Sequence, residues 1–139
     1  MIIDQTLLDS LTEKAKASTR LRMNFDLRNT PADLSQRMLN AIEPGSQVAI
    51  HRHRNTSETM TVIRGRLVVD LYDAQGVACK ESVELSPNGP VVAINVPLGQ
   101  WHTARSLESG TVFIGVMDGH YEPLDPEDIM EGMKYENVE

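Results

Sequence analysis

The sequence predicts an all-β fold in which short antiparallel strands form a sandwich or barrel. Eight or nine stretches of alternating or continuous apolar residues, each of strand length, follow one another at regular spacing. Clusters of Gly, Pro, Asn and Asp separate them, and these are the residues that tight turns require. A double-sheet jelly roll fits that number of strands, so we expect a jelly roll with a short helix at each end.

The N-terminal elements should form an extension to the barrel. Asp4 can cap an amphipathic helix that reaches residue 17, because Leu7, Leu8 and Leu11 share one of its faces. A strand is expected at residues 21–27, where apolar and polar side chains alternate strictly. The apolar side of this strand needs a partner surface, which is either its own barrel or a second subunit.

The remaining strands should form the barrel itself. They are expected at residues 36–42, 47–53, 58–64, 66–72, 77–85, 91–96, 101–107 and 111–117. Near the end, Asp125 can cap a helix with Pro126 at its first position, and Gly132 should limit that helix to one or two turns. We therefore expect one domain over residues 1–139, with an extension at 1–35, a barrel at 36–118 and an acidic tail at 119–139.

The composition is typical of one folded domain in a reducing compartment. Of the 139 residues, 40% are hydrophobic and 24% charged, so the chain is neither disordered nor membrane-embedded by composition. The start has no basic segment followed by an apolar one, and the single Cys79 cannot form an internal disulfide. We expect a cytoplasmic protein in which Cys79 is a buried thiol of a strand.

The net charge of −7 is concentrated at the C-terminal end, where residues 122–139 carry −6. A nucleic-acid-binding protein usually presents a basic stripe, which this sequence lacks. No apolar run has the length that a bilayer-spanning helix needs. We therefore expect neither a nucleic acid nor a membrane as partner, and the acidic segment should be a solvated tail.

Three histidines and one glutamate have a spacing that predicts a metal site. His51 and His53 would point to the same side of a strand, and Glu58 follows after a short polar turn. His102 comes after the Pro97-x-Gly99 turn, at the start of another predicted strand. A small barrel would direct all four side chains to one point. Imidazole nitrogen and carboxylate oxygen suit Zn, Mn, Fe, Ni or Cu.

The alternative is that these histidines are only packed or solvated, as a single histidine in a strand usually is. The combination favours a metal ion. Two histidines and the glutamate fit one spacing between Gly45 and Gly65, and a third of the four histidines follows the later turn. The fourth histidine, His120, is expected to be a loop residue. We expect one divalent metal ion per chain, bound by His51, His53 and His102, with Glu58 as fourth ligand or hydrogen-bonded beside it.

The spacing from Gly45 to Gly65 resembles the first motif of the cupin superfamily, G-x5-H-x-H-x3,4-E-x6-G, at every fixed position. The second block resembles the second cupin motif through Pro97, Gly99 and His102. It departs at both ends, since Gly89 lies two residues too far upstream and Ser106 stands where Asn is usual. The resemblance implies the double-stranded β-helix of cupins and the same four metal ligands.

A narrower similarity covers nearly the whole chain and is to the WbuC family of cupin-fold metalloproteins. The similar segments are RMN at 22–24, QRMLNAIEPG at 36–45, VELSP at 83–87, WHT at 101–103 and GHYEP at 119–123. WbuC proteins are often found in bacterial O-antigen and surface-polysaccharide gene clusters. The resemblance therefore implies a small polar ligand, such as a sugar or nucleotide sugar.

The candidate ligand-binding residues are Arg22, Asn24, Asn40 and Trp101. Arg22 and Asn24 share the polar face of the strand at 21–27, and alternation alone would turn that face to solvent. The family resemblance makes an inward orientation an equal alternative. Trp101, the only tryptophan, adjoins His102 and could stack on a sugar ring, but packing is its more common role. Arg52 and Arg54 are expected to face solvent or another subunit.

Two classes of function remain open at this point. The first is a metal-dependent enzyme acting on a small polar substrate of the sugar type. The second is a non-catalytic metal-containing protein that binds or regulates such a ligand. A metal-free epimerase is a weaker third, because the ligand set is complete. If the metal is Mn, Fe or Ni, the four protein ligands leave coordination positions open for water or substrate. If it is Zn, four ligands complete a tetrahedral site. We assign no catalytic residue. A homodimer is expected, because two-fold dimers are the commonest closed assembly.

Overall fold

Two antiparallel β-sheets packed face to face make up most of the computed structural model, which describes residues 1–130. The helix α1 covers Gln5–Ala17, and one 3-10 turn lies at Pro126–Asp128. The strands are β1 Arg22–Asp26, β2 Ser35–Ile42, β3 Glu58–Arg64, β4 Leu67–Tyr72, β5 Cys79–Leu85, β6 Ala93–Val96, β7 His102–Ser106 and β8 Thr111–Asp118.

The larger sheet has the strand order β1-β2-β8-β3-β6, and the smaller has the order β5-β4-β7. Neighbouring strands are antiparallel throughout. Apolar side chains from both sheets meet between them and form the main core, which is Ile42, Met60, Val62, Leu67, Val69, Leu85, Val96, Ala104 and Phe113. The jelly-roll fold class predicted from the sequence is confirmed.

The helix α1 covers the outer face of the larger sheet. Its cap is the predicted one, since the Asp4 carboxylate accepts the backbone N–H of Leu7 at 3.0 Å. Leu8, Leu11 and Ala15 pack against a second apolar cluster that includes Leu39, Ala41 and Val112 of the sheet. No helix in residues 1–130 is long and apolar enough to cross a membrane.

Strand β1 joins the chain's own sheet, and this decides which way its polar face points. Met23 and Phe25 pack on the cluster beneath α1, so alternation turns Arg22 and Asn24 toward the inside of the barrel. The solvent-facing orientation that alternation alone favoured is therefore wrong for these two residues. The reason is the helix, which gives the apolar face of β1 a partner within the same chain.

The strand predicted at residues 47–53 is not regular. Only isolated bridges form there, from His51 to His102 and to Ile129. Two of its backbone carbonyls bond to side chains instead of to a neighbouring strand. The Val48 carbonyl accepts from the Thr103 hydroxyl at 2.6 Å, and the Gln47 carbonyl accepts from Arg22 at 3.1 Å. The segment is nevertheless extended enough to keep His51 and His53 on one side.

Two smaller expectations also need correction. Cys79 is exposed rather than buried, because β5 is an edge strand and its first residues face solvent. The C-terminal helix is reduced to the single 3-10 turn, and the continuation expected up to residue 132 lies outside the described residues. The turn begins with Pro and has acidic residues in its first turn as predicted, but the Asp125 side chain makes no capping hydrogen bond within the described residues.

Candidate metal centre

Three imidazole rings converge at one end of the barrel. One ring nitrogen from each of His51, His53 and His102 lies within 4.8 Å of the other two. The ring centroids are 4.4 to 5.6 Å apart, and His51 and His102 are almost fully buried. The cluster gathers side chains that are about fifty residues apart in the sequence, as the predicted site requires.

Backbone hydrogen bonds hold the two histidine segments side by side. The N–H of His51 donates to the His102 carbonyl at 3.0 Å, and the reverse bond measures 2.9 Å. The N–H of Gly99 donates to the His53 carbonyl at 2.8 Å, and Gly99 takes a φ of +73°, which favours glycine. The turn of the second motif is thus packed directly against the first motif.

In His51 and His102, the hydrogen bond made by Nδ1 determines which ring nitrogen is free to bind a metal. The Nδ1 atoms of His51 and His102 lie 2.8 Å from the carbonyls of Ala49 and Gln100. A carbonyl only accepts, so each Nδ1 carries the proton and each Nε2 keeps its lone pair when the ring is neutral. Among the described residues, the buried Nε2 atoms of His51 and His53 have no hydrogen-bond partner. A metal ion bound at these two atoms would give both of them a partner.

The protonation equilibrium of His51 also suits a metal ligand. Burial lowers the pKa of His51 well below its ordinary value, and the nearby His102 and His53 rings lower it further. The ring is therefore neutral near pH 7, and the neutral imidazole is the form that binds metals.

Glu58 begins β3 and is buried beside the imidazoles. Its Oε1 lies 3.5 Å from Nε2 of His53 and 3.6 Å from Nε2 of His102. These distances are long for hydrogen bonds, but two atoms bound to one tetrahedral ion would lie about 3.4 Å apart. In the metal-free protein burial opposes ionisation of Glu58, but hydrogen bonds from the His102 and His53 rings, made when their Nε2 atoms carry protons, outweigh it and hold the pKa of the carboxyl below its ordinary value. The three imidazole nitrogens are close enough together to hold a metal ion, and a carboxylate oxygen lies beside them.

Behind the imidazoles lies a small inner chamber of about 40 Å³, which has room for a few water molecules. Its polar wall includes Arg22, Asn24 and Asn40, and its other wall is apolar and includes Ile42 and Phe113. Arg22 is only 4% exposed, and its guanidinium donates to the Ser46 hydroxyl at 3.3 Å. Three of the four candidate ligand-binding residues therefore line the chamber beside the imidazoles.

On the solvent side of the imidazoles opens a much larger cavity of about 820 Å³, which we call the mouth. His53 lines the mouth, whereas His51 and His102 line the inner chamber. Asn24, Asn40 and Glu58 line both spaces and so form a neck between them. A ligand that enters by the mouth would meet the imidazoles and the neck together.

Gly115 lies against this neck, and sequence reasoning missed it. A Cβ at this position would lie 3.1 Å from Glu58 Oε2 and 3.4 Å from the Asn40 amide nitrogen. The absence of a side chain therefore leaves room beside β8 for both the carboxylate and the amide. The available signal was a glycine inside an otherwise apolar strand, which often marks a close approach.

Trp101 lies outside the residues that line the inner chamber and the mouth. It is buried, and the guanidinium of Arg52 lies 4.7 Å from the centre of its ring. These contacts are those of a packed side chain, which was the alternative to stacking on a sugar ring. Arg52 and Arg54 both bind the buried Asp128 carboxylate, at 2.9 and 2.6 Å, and Arg54 also remains exposed to solvent as expected. Asp128 was missed because nothing in its local sequence points to a partner more than seventy residues away.

The fourth histidine is a loop residue at the rim of the mouth. His120 follows β8, is exposed, and its Nε2 lies 3.2 Å from the Glu122 carboxylate. It is separate from the three converging imidazoles, which is the arrangement expected from its position in the sequence.

Comparison with known proteins supports the fold and identifies a family. The model of the family described as "Domain of unknown function (DUF6016)" matches residues 3–85. No curated protein matches the sequence.

Solved structures of cupin proteins are similar to this chain over most of its length. KdgF from Halomonas sp. is 20% identical with a TM-score of 0.57, over 72% of this chain and 82% of that protein. A cupin 2 domain-containing protein from Halorhodospira halophila has the same identity and TM-score, over 77% and 72%. The capsular polysaccharide assembling protein CapF from Staphylococcus aureus is 24% identical with a TM-score of 0.57, over 77% of this chain but only 28% of CapF. At these identities the similarity concerns the fold, which is that of the cupins.

Proposed function

This chain belongs to the family described as a domain of unknown function, DUF6016, and on that premise we propose that it is a WbuC-type metal-binding cupin that acts on or binds a small sugar-type ligand in bacterial surface-polysaccharide biosynthesis. The observation that carries the proposal is the pair of buried Nε2 atoms, on His51 and His53, that lack a partner among residues 1–130. Buried polar atoms without partners are rare in folded proteins, and a shared metal ion would satisfy both.

One divalent ion per chain, of the Zn, Mn, Fe or Ni type, would bind His51, His53 and His102, with Glu58 as the fourth ligand. A bound ion of this type would supply Lewis acidity for a ligand oxygen. The remaining positions around it depend on the metal, since four protein ligands close a tetrahedral site and leave an octahedral one open.

The shape and chemistry of the mouth favour a ligand rich in hydroxyl groups. Its volume of about 820 Å³ exceeds what a monosaccharide needs, and amide, hydroxyl and carboxylate side chains line it. At the neck, Asn24 and Asn40 offer both donors and acceptors, and the buried Arg22 adds a cation for a carboxylate or phosphate oxygen. We propose these three residues as ligand-binding residues.

The link to surface polysaccharides has two supports. The WbuC resemblance covers segments between residue 22 and residue 123, including Asn24 and Asn40 of the neck. CapF, which has a similar fold over part of its length, is described as a capsular polysaccharide assembling protein. A nucleotide sugar would fit both the polar neck and the size of the mouth.

Metal analysis of protein purified without an affinity tag tests the metal site. We expect one metal ion per chain in the wild type and almost none in the double variant His51→Ala/His53→Ala. The matched control is His120→Ala, because it removes the histidine outside the cluster and should keep the wild-type metal content. Stoichiometric metal in the double variant would disprove the ligand assignment.

Titration with nucleotide sugars by calorimetry tests the ligand. Asn40→Ala should weaken binding about tenfold, because an orienting hydrogen bond to a polar ligand is worth roughly 1–1.5 kcal/mol. Thr59→Ala is the control, since Thr59 lies on β3 beside Glu58 but its hydroxyl contacts the exposed Asn95. Product formation would identify an enzyme, whereas binding without turnover would favour the alternative of a non-catalytic binding or regulatory protein. Absence of binding at millimolar concentration would remove the sugar proposal.

The homodimer is a further proposal. Strand β1 is an edge of the larger sheet, and no strand within residues 1–130 pairs with its outer side, so a second subunit could do so. Light scattering should give twice the chain mass of 15.5 kDa. A value of one chain mass would mean that the extension serves only its own barrel.

A further inference from the structure

A polar cluster lies beside the three imidazoles, and part of it borders the mouth. Because side chains alternate along an extended chain, Arg52 points away from His51 and His53, and Trp101 adjoins His102 but does not line the inner chamber. In this cluster, Asp128 Oδ1 accepts from Nε of Arg52 at 2.9 Å and from Nε of Arg54 at 2.6 Å. The Arg52 guanidinium in turn lies 4.7 Å from the centre of the Trp101 ring. We call Arg52, Arg54, Trp101 and Asp128 the clamp.

The backbone of the clamp completes the hydrogen bonding of the histidine segment. On one side, that segment is bonded to His102. On the other side, the Asp128 carbonyl accepts the N–H of Arg52 at 3.0 Å, and the N–H of Met130 donates to Ile50 at 2.9 Å. Ile129 also forms an isolated bridge with His51. The segment that carries two imidazoles therefore depends on residues 128–130 for the partner that a regular strand would have had.

The clamp is buried enough for its charges to matter. The Asp128 side chain is 6% exposed, and it meets two guanidinium groups at hydrogen-bonding distance. Glu127, the adjacent residue, binds the same Arg54 at 3.1 Å, but its side chain is 69% exposed. Exposed ion pairs contribute little, whereas a buried carboxylate shared by two arginines fixes its partners. The two neighbours thus form a natural pair for comparison.

We infer that Asp128 is a positioning residue of the metal centre, which acts through Arg52 and Arg54 to hold His51 and His53 at the spacing that one ion requires. The inference rests on the proposed metal site, and it adds that the segment at 128–130 helps to set the geometry of that site. Arg52 and Arg54 lie on either side of His53 in the sequence, so fixing both guanidinium groups limits rotation of the backbone that carries the imidazole. Contact between Arg52 and Trp101 extends the same restraint to the segment of His102.

Metal affinity in the variant Asp128→Asn tests the inference, with Zn²⁺ or Co²⁺ alone as the ligand. The amide keeps the size and one acceptor of the carboxylate but removes its charge. We expect the dissociation constant to rise about tenfold, the lower end of the effect of losing an outer partner of a metal ligand. The Co²⁺ absorption spectrum should change in intensity, because the geometry around the ion is less fixed. Emission of the single tryptophan, Trp101, should change in the metal-free variant, since Arg52 loses its anchor.

The matched control is Glu127→Gln, which removes the exposed partner of Arg54 and should leave affinity and spectrum within about twofold of the wild type. If Asp128→Asn fails to fold, Arg52→Lys keeps the charge but loses the planar contact with Trp101, and it should weaken affinity by about threefold. Wild-type affinity and an unchanged Co²⁺ spectrum in a folded Asp128→Asn or Arg52→Lys variant would overturn the inference and leave the metal site intact. A wild-type protein that binds neither ion would overturn both.

Discussion

The two faces of the larger sheet are built from the same strands but serve different purposes. On β2, Leu39 and Ala41 are completely buried beneath α1, whereas Asn40 between them points to the neck. The outer face packs against α1 mainly through apolar side chains, and burial of this kind is the main source of folding free energy. At its margin, Arg64 donates to Asp9 and Thr12 of the helix. The inner face contributes Ile42 and Phe113 to the main core, but near the mouth it also buries Arg22 and Glu58, and buried charged groups cost free energy unless they have partners. The outer face thus serves stability, whereas the inner face combines stability with the polar site that we propose to bind a metal and a ligand.

The largest effect is expected on the outer face. Leu11 is fully buried between α1 and the sheet, so Leu11→Ala should lower the free energy of unfolding by about 3 kcal/mol. Chemical denaturation measures this loss, and Lys14→Ala, at an exposed position of the same helix, is the control. Metal content at 25 °C should stay at the wild-type level. Loss of metal from a folded Leu11→Ala variant would show that the two faces are coupled.

A smaller effect is expected at the neck. Gly115→Ala would place a methyl group 3.1 Å from Glu58 Oε2, so the carboxylate must shift. We expect a loss of about 1–2 kcal/mol in unfolding free energy together with weaker metal binding. Val116→Ala, at the next residue with a side chain on the opposite face, should affect neither strongly. Equal metal affinity in Gly115→Ala and the wild type would mean that the neck tolerates displacement of Glu58.

The smallest effect concerns pH and the clamp. Burial opposes ionisation of Asp128, but hydrogen bonds from Arg54 and Arg52 outweigh it and hold the pKa of the carboxyl below its ordinary value. The unfolded chain therefore binds this proton at higher pH than the folded chain does. The stabilisation is complete above the unfolded value near 3.8 and is lost as the pH falls through the folded value.

Denaturation of metal-free protein between pH 6 and pH 3 measures this contribution. Since solvent reaches the arginine partners, the difference between the wild type and Asp128→Asn should shrink by at most about 1 kcal/mol across that range. A difference that stays constant down to pH 3 would mean that the charge of Asp128 contributes nothing to the fold.

The sequence predicted those parts of the molecule that depend on local pattern. Strand β3 has the bounds expected, and the other regular strands are within two residues of them, because alternation and turn residues determine both. The convergence of His51, His53 and His102 followed from alternation and one turn. The local sequence pattern did not predict features that depend on contacts with a distant segment of the chain. The inward orientation of Arg22 depends on α1, and the irregular segment at 47–53 depends on residues 128–130.

Anomalous diffraction at the absorption edge of the bound metal tests most directly whether the inner face holds one ion. We expect a single strong peak per chain, about 2.0–2.2 Å from Nε2 of His51, His53 and His102, with a Glu58 oxygen near the same distance. Crystals of tag-free protein that show no peak among these atoms, or a peak at His120 and Glu122 instead, would contradict this expectation.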